Sequence, residues 1–131
     1  MQKNENRNSS IEELRKGFRT AFIDGEYNSN LAYRPEFLSN NAAEGKKVLS
    51  AIESELLRCD EFAISVAFIT NSGIEPFMQT FKELEHRNIP GKILTTNYLN
   101  FSDPKALRRL SKLQNLEIRM YVTDDESEGF H

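Results

Sequence analysis

The stretch that most constrains the fold is residues 62–70, Phe-Ala-Ile-Ser-Val-Ala-Phe-Ile-Thr, which holds no charge and no breaker. A run this short, rich in β-branched and aromatic side chains and bounded by Asp60 and by Asn71-Ser72-Gly73, predicts a strand buried on both faces. Strands of that kind lie in the middle of parallel sheets. The pattern then repeats, with a helical segment, a strand over 92–97, a second helical segment and a strand over 116–122. The expectation is β-α-β-α-β: an α/β fold of three layers, with a mainly parallel sheet between flanking helices and 62–70 in its interior. In 116–122, Leu116, Ile118, Met120 and Val122 alternate with Glu117, Arg119 and Tyr121, as in an edge strand with one face less buried.

Around this unit the chain reads as follows. Residues 1–9 are polar throughout and predict a flexible tail. Ser10 and Glu13 have capping-box spacing, and Ile11, Leu14, Phe18, Ala21 and Phe22 share one face of a helix that Asp24-Gly25 ends. Residues 26–41 have no period and favour turns, with Leu31, Tyr33, Phe37 and Leu38 as the side chains able to pin them. A helix is expected over 42–58. Ser72 and Glu75 again have capping-box spacing, ahead of a buried face of Ile74, Phe77, Met78, Phe81 and Leu84. Asp103-Pro104 marks a helix start, with Leu107, Leu110 and Leu113 inward and Lys105, Arg108, Arg109 and Lys112 outward. With 131 residues the chain is expected to form one domain over 10–131.

Composition narrows the function classes. The net charge of −3 works against gathering nucleic acid by overall charge, so binding to a polyanion needs a local patch. One cysteine, Cys59, rules out an internal disulfide, and with two histidines it leaves no zinc set; the expectation is no metal site. No apolar run is long enough to span a membrane, and the start lacks the apolar segment of a secretory signal, so the expected location is cytoplasmic, without membrane partners.

In an open parallel sheet, ligands bind beyond the carboxyl ends of the strands. Three such ends are expected here: Thr70-Asn71-Ser72, Thr95-Thr96-Asn97-Tyr98, and the stretch from Thr123 to His131. Thr70, Asn71, Ser72, Thr96 and Asn97 offer hydroxyl and amide donors that suit a phosphate, and the first group precedes a helix start. The ordinary alternative is that they form turns and caps. His131 brings acid–base or nucleophilic chemistry. It follows Asp124-Asp125-Glu126-Ser127-Glu128-Gly129-Phe130, where the ordinary alternative is a frayed end. His86, in Glu85-His86-Arg87, needs no more than the dipole at a helix C-terminus.

The phrases Ser65-Val66-Ala67-Phe68-Ile69-Thr70, Asn88 to Asn97, Leu116 to Tyr121 and Gly129-Phe130-His131 resemble the first half of a phospholipase D-like domain. Gly17 to Asp24 and Asn30-Leu31-Ala32-Tyr33-Arg34-Pro35 resemble the amino-terminal region of bacterial superfamily 2 helicase-like proteins, where such a domain precedes a DEAD/DEAH-type ATPase. The resemblance implies a phosphodiesterase, a nuclease acting on DNA, with His131 matching the first residue of a His-x-Lys signature and attacking phosphorus. It implies no cofactor for this domain, ATP and Mg for the helicase part, and a homodimer that brings two His131 side chains to one cleft. The Lys and Asp of the signature are not among these 131 residues, so the resemblance implies a fragment that is inactive as it stands. The alternative is a non-catalytic module that positions phosphate or DNA for the same helicase-like protein.

Overall fold

The structure, a computed structural model, describes residues 2–26, 28–45 and 47–122. The chain divides into two compact units, residues 1–39 and 40–131, where the sequence reading has one domain over 10–131.

The larger unit holds the sheet. Strands β1 (Phe62–Ser65), β2 (Gly91–Thr96) and β3 (Leu116–Tyr121) are parallel and lie in the order β1-β2-β3. Phe62 stands opposite Gly91, and Gly91 opposite Leu116. The helices are α2 (Val48–Arg58), α3 (Asn71–Ile74), α4 (Met78–His86) and α5 (Pro104–Leu110), with 3-10 turns at Glu75–Phe77 and Tyr98–Asn100. The α/β class and the parallel sheet flanked by helices are therefore as expected.

Because each strand adds on the same side of the one before, two crossovers of one hand carry both connecting helices to the same face. The side chains alternate accordingly. In β2, Ile93 and Thr95 are buried while Lys92 and Leu94 are exposed, and Ala63, Ser65, Glu117 and Arg119 join them on the open face. On the covered face one core runs from Leu56 of α2 through Ile74, Phe81 and Leu84 to Ile93, Ala106, Leu110 and Leu113. Burying a leucine such as Leu84 or Leu110 this completely stabilises by about 1.5–3 kcal/mol. Of the two helical layers expected, the described residues of this unit supply one.

β2, not β1, is the interior strand. The uncharged run over 62–70 is divided: four residues form β1, and the rest bends across the end of the sheet. Val66 N–H still donates to the Leu94 carbonyl and Thr96 N–H to that of Ala67, so the chain leaves β2 gradually. Ile69 then turns inward, while Phe68, expected to be buried, is 48% exposed and packs edge-on against Phe101 at 5.6 Å. Apolar content reports burial of a segment on average and does not say which strand has neighbours on both sides.

The helix ends also move. α2 starts at Val48, later than the expected 42, because Asn41 turns the chain by accepting from the N–H groups of Ala43 and Glu44, and Gly45 takes φ +66°. Asn40 Oδ1 accepts from Val48 N–H across this turn and stands in for a cap. α3 is capped by Thr70, whose hydroxyl accepts from Gly73 N–H, and not by Ser72. Pro76 sits in the 3-10 turn between α3 and α4, where its missing N–H is tolerated. Asp103 caps α5 with Pro104 at its first position, as the sequence predicts.

In the smaller unit, α1 runs from Gln2 to Phe22, so residues 2–9, read as a tail, are helical, and Ser10 lies inside the helix and not at its cap. Gln, Lys, Glu and Arg in this segment are good helix formers, and extending an existing helix costs little once its nucleus has formed. A 3-10 turn at Leu31–Tyr33, capped by Asn30, packs beside α1. The close approach is made at Gly17, where a Cβ would overlap the Tyr33 carbonyl. Leu31 and Phe37, expected to pin this segment, are instead mostly exposed. No helix among the described residues is long and apolar enough to cross a membrane.

Candidate functional site at the carboxyl end of the sheet

The ends of β1 and β2 meet in a polar network buried beneath the loops. Thr95 and Thr96 are both fully buried. Thr96 Oγ1 donates to the Ala67 carbonyl at 2.9 Å and accepts from Tyr98 N–H at 3.0 Å, so one hydroxyl ties the exit of β1 to the loop after β2. Ser102 does the same from the other side: its hydroxyl accepts from Ile69 N–H at 3.2 Å and donates to the Thr96 carbonyl at 3.2 Å. Asp103 N–H then donates to the Ile69 carbonyl at 2.7 Å, placing the start of α5 beside the end of β1. Buried polar groups of this kind are tolerated because each finds a partner.

On the outer side of this network stand Thr70, Asn71 and Ser72. Thr70 Oγ1 caps α3 and lies 3.3 Å from Ser72 Oγ. Asn71 Oδ1 accepts from Arg109 Nη1 at 2.7 Å, and the same nitrogen donates to Glu75 Oε2 at 2.6 Å. Arg109 therefore clamps α5 to the start of the α3 segment. Its hydrogen bond and charge hold the Glu75 carboxyl below the usual carboxylate range. Since a guanidinium only donates, the clamp also fixes which way the Asn71 amide faces: oxygen toward Arg109, NH₂ away.

The structure thus brings Thr70, Asn71, Ser72, Thr96 and Asn97 to the same end of the sheet, but in different roles. Thr96 is wholly internal. Thr70 is a cap, and Asn97 N–H pairs with the Tyr121 carbonyl at 3.4 Å, joining β2's exit to β3's. Ser72 is exposed, and Asn71 half-buried. His131 and the third strand end, Thr123 to His131, lie outside the described residues. His86 closes α4 shortly before Gly91, toward the amino ends of the strands and away from this network.

Three residues here escape a sequence reading. Nothing in the sequence pattern singles out Ser102, Thr95 falls within a strand end but not among the donors, and Arg109 reads as an outward cation on α5. The one signal for Arg109 is its place on the flank of the helix, where a long side chain can cross to a neighbour. The chemistry this end can perform with its described residues is hydrogen-bond donation and orientation. None of Thr70, Asn71, Ser72, Thr96 and Asn97 is a general acid or base near neutral pH. No group of three or more His, Cys, Asp or Glu side chains among the described residues is placed to hold a metal ion. Comparison with the known protein families and with curated proteins found nothing that this chain matches.

Proposed function

We propose that residues 40–131 are the amino-terminal part of a phospholipase D-like phosphodiesterase domain that acts on DNA and is joined in its parent protein to a helicase-type ATPase. The observation that supports this reading is the convergence of parallel strand ends. β1, β2 and β3 finish on one side, and β3 ends there at Tyr121, ten residues before His131 in the sequence. In an α/β sheet that is the side on which ligands bind. In this reading His131 attacks phosphorus, Ser72 and Asn71 offer donors to the phosphoryl oxygens, and Thr96 and Ser102 hold the strand ends in place. One imidazole cannot both attack and protonate the leaving oxygen in the same step, so a second copy of the chain supplies the second histidine. ATP and Mg belong to the ATPase part.

A second reading, a module that positions phosphate without cleaving it, draws on one feature. The donors left at this end, the exposed Ser72 hydroxyl and the Asn71 NH₂ turned away from Arg109, can hold a phosphoryl oxygen but are not acids or bases near neutral pH. One experiment separates the two. DNA cleavage is measured for the parent protein and its His131→Ala variant, with ATPase activity as the control for folding. The first reading expects the variant to lose roughly 10²-fold or more in cleavage. Equal cleavage by both removes His131 from the mechanism, and DNA binding without cleavage in either favours the positioning module.

A further inference from the structure

A groove of about 640 Å³ separates α4 from α5 on the outer side of the helical layer. Its lining combines two kinds of surface. Met78 and Leu113 give it an apolar floor continuous with the core, and Lys82, His86, Arg109 and Lys112 stand around it with a single carboxylate, Glu85. Arg109 is held by Glu75, and Glu85 accepts from Gln114 N–H at 2.7 Å. Lys82 and Lys112 are exposed. In a chain whose net charge is −3 this is a local reversal of sign.

We propose that this groove docks an acidic amphipathic peptide segment of a partner protein, with its apolar side chains on Met78 and Leu113 and its carboxylates on Lys82 and Lys112. A trough between two helices with an apolar floor is the form that receives an amphipathic helix, and methionine adapts its shape to varied apolar partners. Nucleic acid fits less well. A phosphate backbone gains nothing from the apolar floor and Glu85 repels it, although the His86 ring in the lining offers a base a surface to stack on. The proposal rests on the groove alone and is independent of His131.

The test uses the 131-residue chain and a labelled helical peptide of about 16 residues, long enough to hold a helix, with Leu along one face and Glu elsewhere. Fluorescence anisotropy is expected to show binding that weakens as salt is added. Replacing every Glu of the peptide by Gln, or every Leu by Ala, is expected to weaken it. The double variant Lys82→Gln/Lys112→Gln is expected to lose roughly fivefold to tenfold, while Lys92→Gln, on the open face of the sheet, leaves binding unchanged. Tighter binding of single-stranded DNA than of the peptide overturns the proposal in favour of a nucleic-acid surface. Equal binding of the Gln peptide, or of the double variant, overturns it outright.

Discussion

Replacing Thr96 by Val, beside the same change at Thr95, isolates what the buried network contributes. The two threonines are neighbours on one strand, are equally buried, and lose the same atom. Their hydroxyls are not equally engaged. Thr96 Oγ1 makes bonds of 2.9 and 3.0 Å, whereas Thr95 Oγ1 lies 3.4 Å from both the Ala67 carbonyl and Ser102 Oγ, at the weak limit of hydrogen bonding. In Thr96→Val the Ala67 carbonyl keeps its bond from Thr96 N–H, but Tyr98 N–H loses its acceptor. Losing the two hydrogen bonds of this hydroxyl, each worth about 1 kcal/mol net, gives a loss of about 2 kcal/mol. Thr95→Val should cost no more than about 1 kcal/mol. Urea titrations followed by far-UV circular dichroism measure both, and an unchanged slope with a lower midpoint marks a pure stability effect. A Thr95→Val loss equal to or above that of Thr96→Val would refute the reasoning, because the difference in bond length would then carry no energy.

Two further outcomes follow from the geometry. Phe68→Ala should cost about 1–2 kcal/mol, the loss of a half-exposed ring and its edge-on contact with Phe101, and not the 3–5 kcal/mol of a buried phenylalanine; a melting-point drop as large as that of Phe81→Ala would place the ring in the core. Arg109→Gln should raise the midpoint of Glu75 in a carboxyl NMR titration. A lowered folded-state value means that the Glu75–Arg109 pair contributes at higher pH and fades as pH falls below 4.5 and through the lowered midpoint, and the variant should lack that acid-side change. An unmoved Glu75 midpoint would remove Arg109 as its cause.

What was legible in the chain was whatever rests on local pattern. The Asp103-Pro104 start and the inward face of Ile74, Phe81 and Leu84 follow from backbone chemistry and side-chain period and are found, while the alternation expected over 116–122 holds through Arg119 and is lost at Met120 and Val122, which are exposed. Strand order is different in kind. Residues 62–70 are the most apolar run, yet β1 has one partner strand among the described residues, while β2, with Lys92 exposed in it, has two. The face on which Lys92 lies is open, and a central strand with one open face tolerates a charge there. The start of α2 turned on Asn40 and Asn41, whose amides bond the backbone locally in competition with the helix. At the candidate site, donor types could be read from sequence, but their commitments could not. Thr96 and Ser72 look alike as letters, and only the fold spends one on the Ala67 carbonyl and leaves the other at the surface.

The sequential order of the sheet bears on how the chain reaches this state. Among the described residues β2 is the strand that pairs twice, and the crossovers into it and out of it, from Phe62 to Gly91 and from Gly91 to Leu116, are of nearly equal length. Closing a loop costs only about 0.6 kcal/mol more for each doubling of its length, so neither pairing has a head start from chain entropy. Both routes share β2, with Ile93 as the core side chain common to them. Trimming Ile93 would slow folding by either path, whereas trimming Leu56 on α2, which joins the core from outside the two crossovers, would act chiefly on the rate of unfolding.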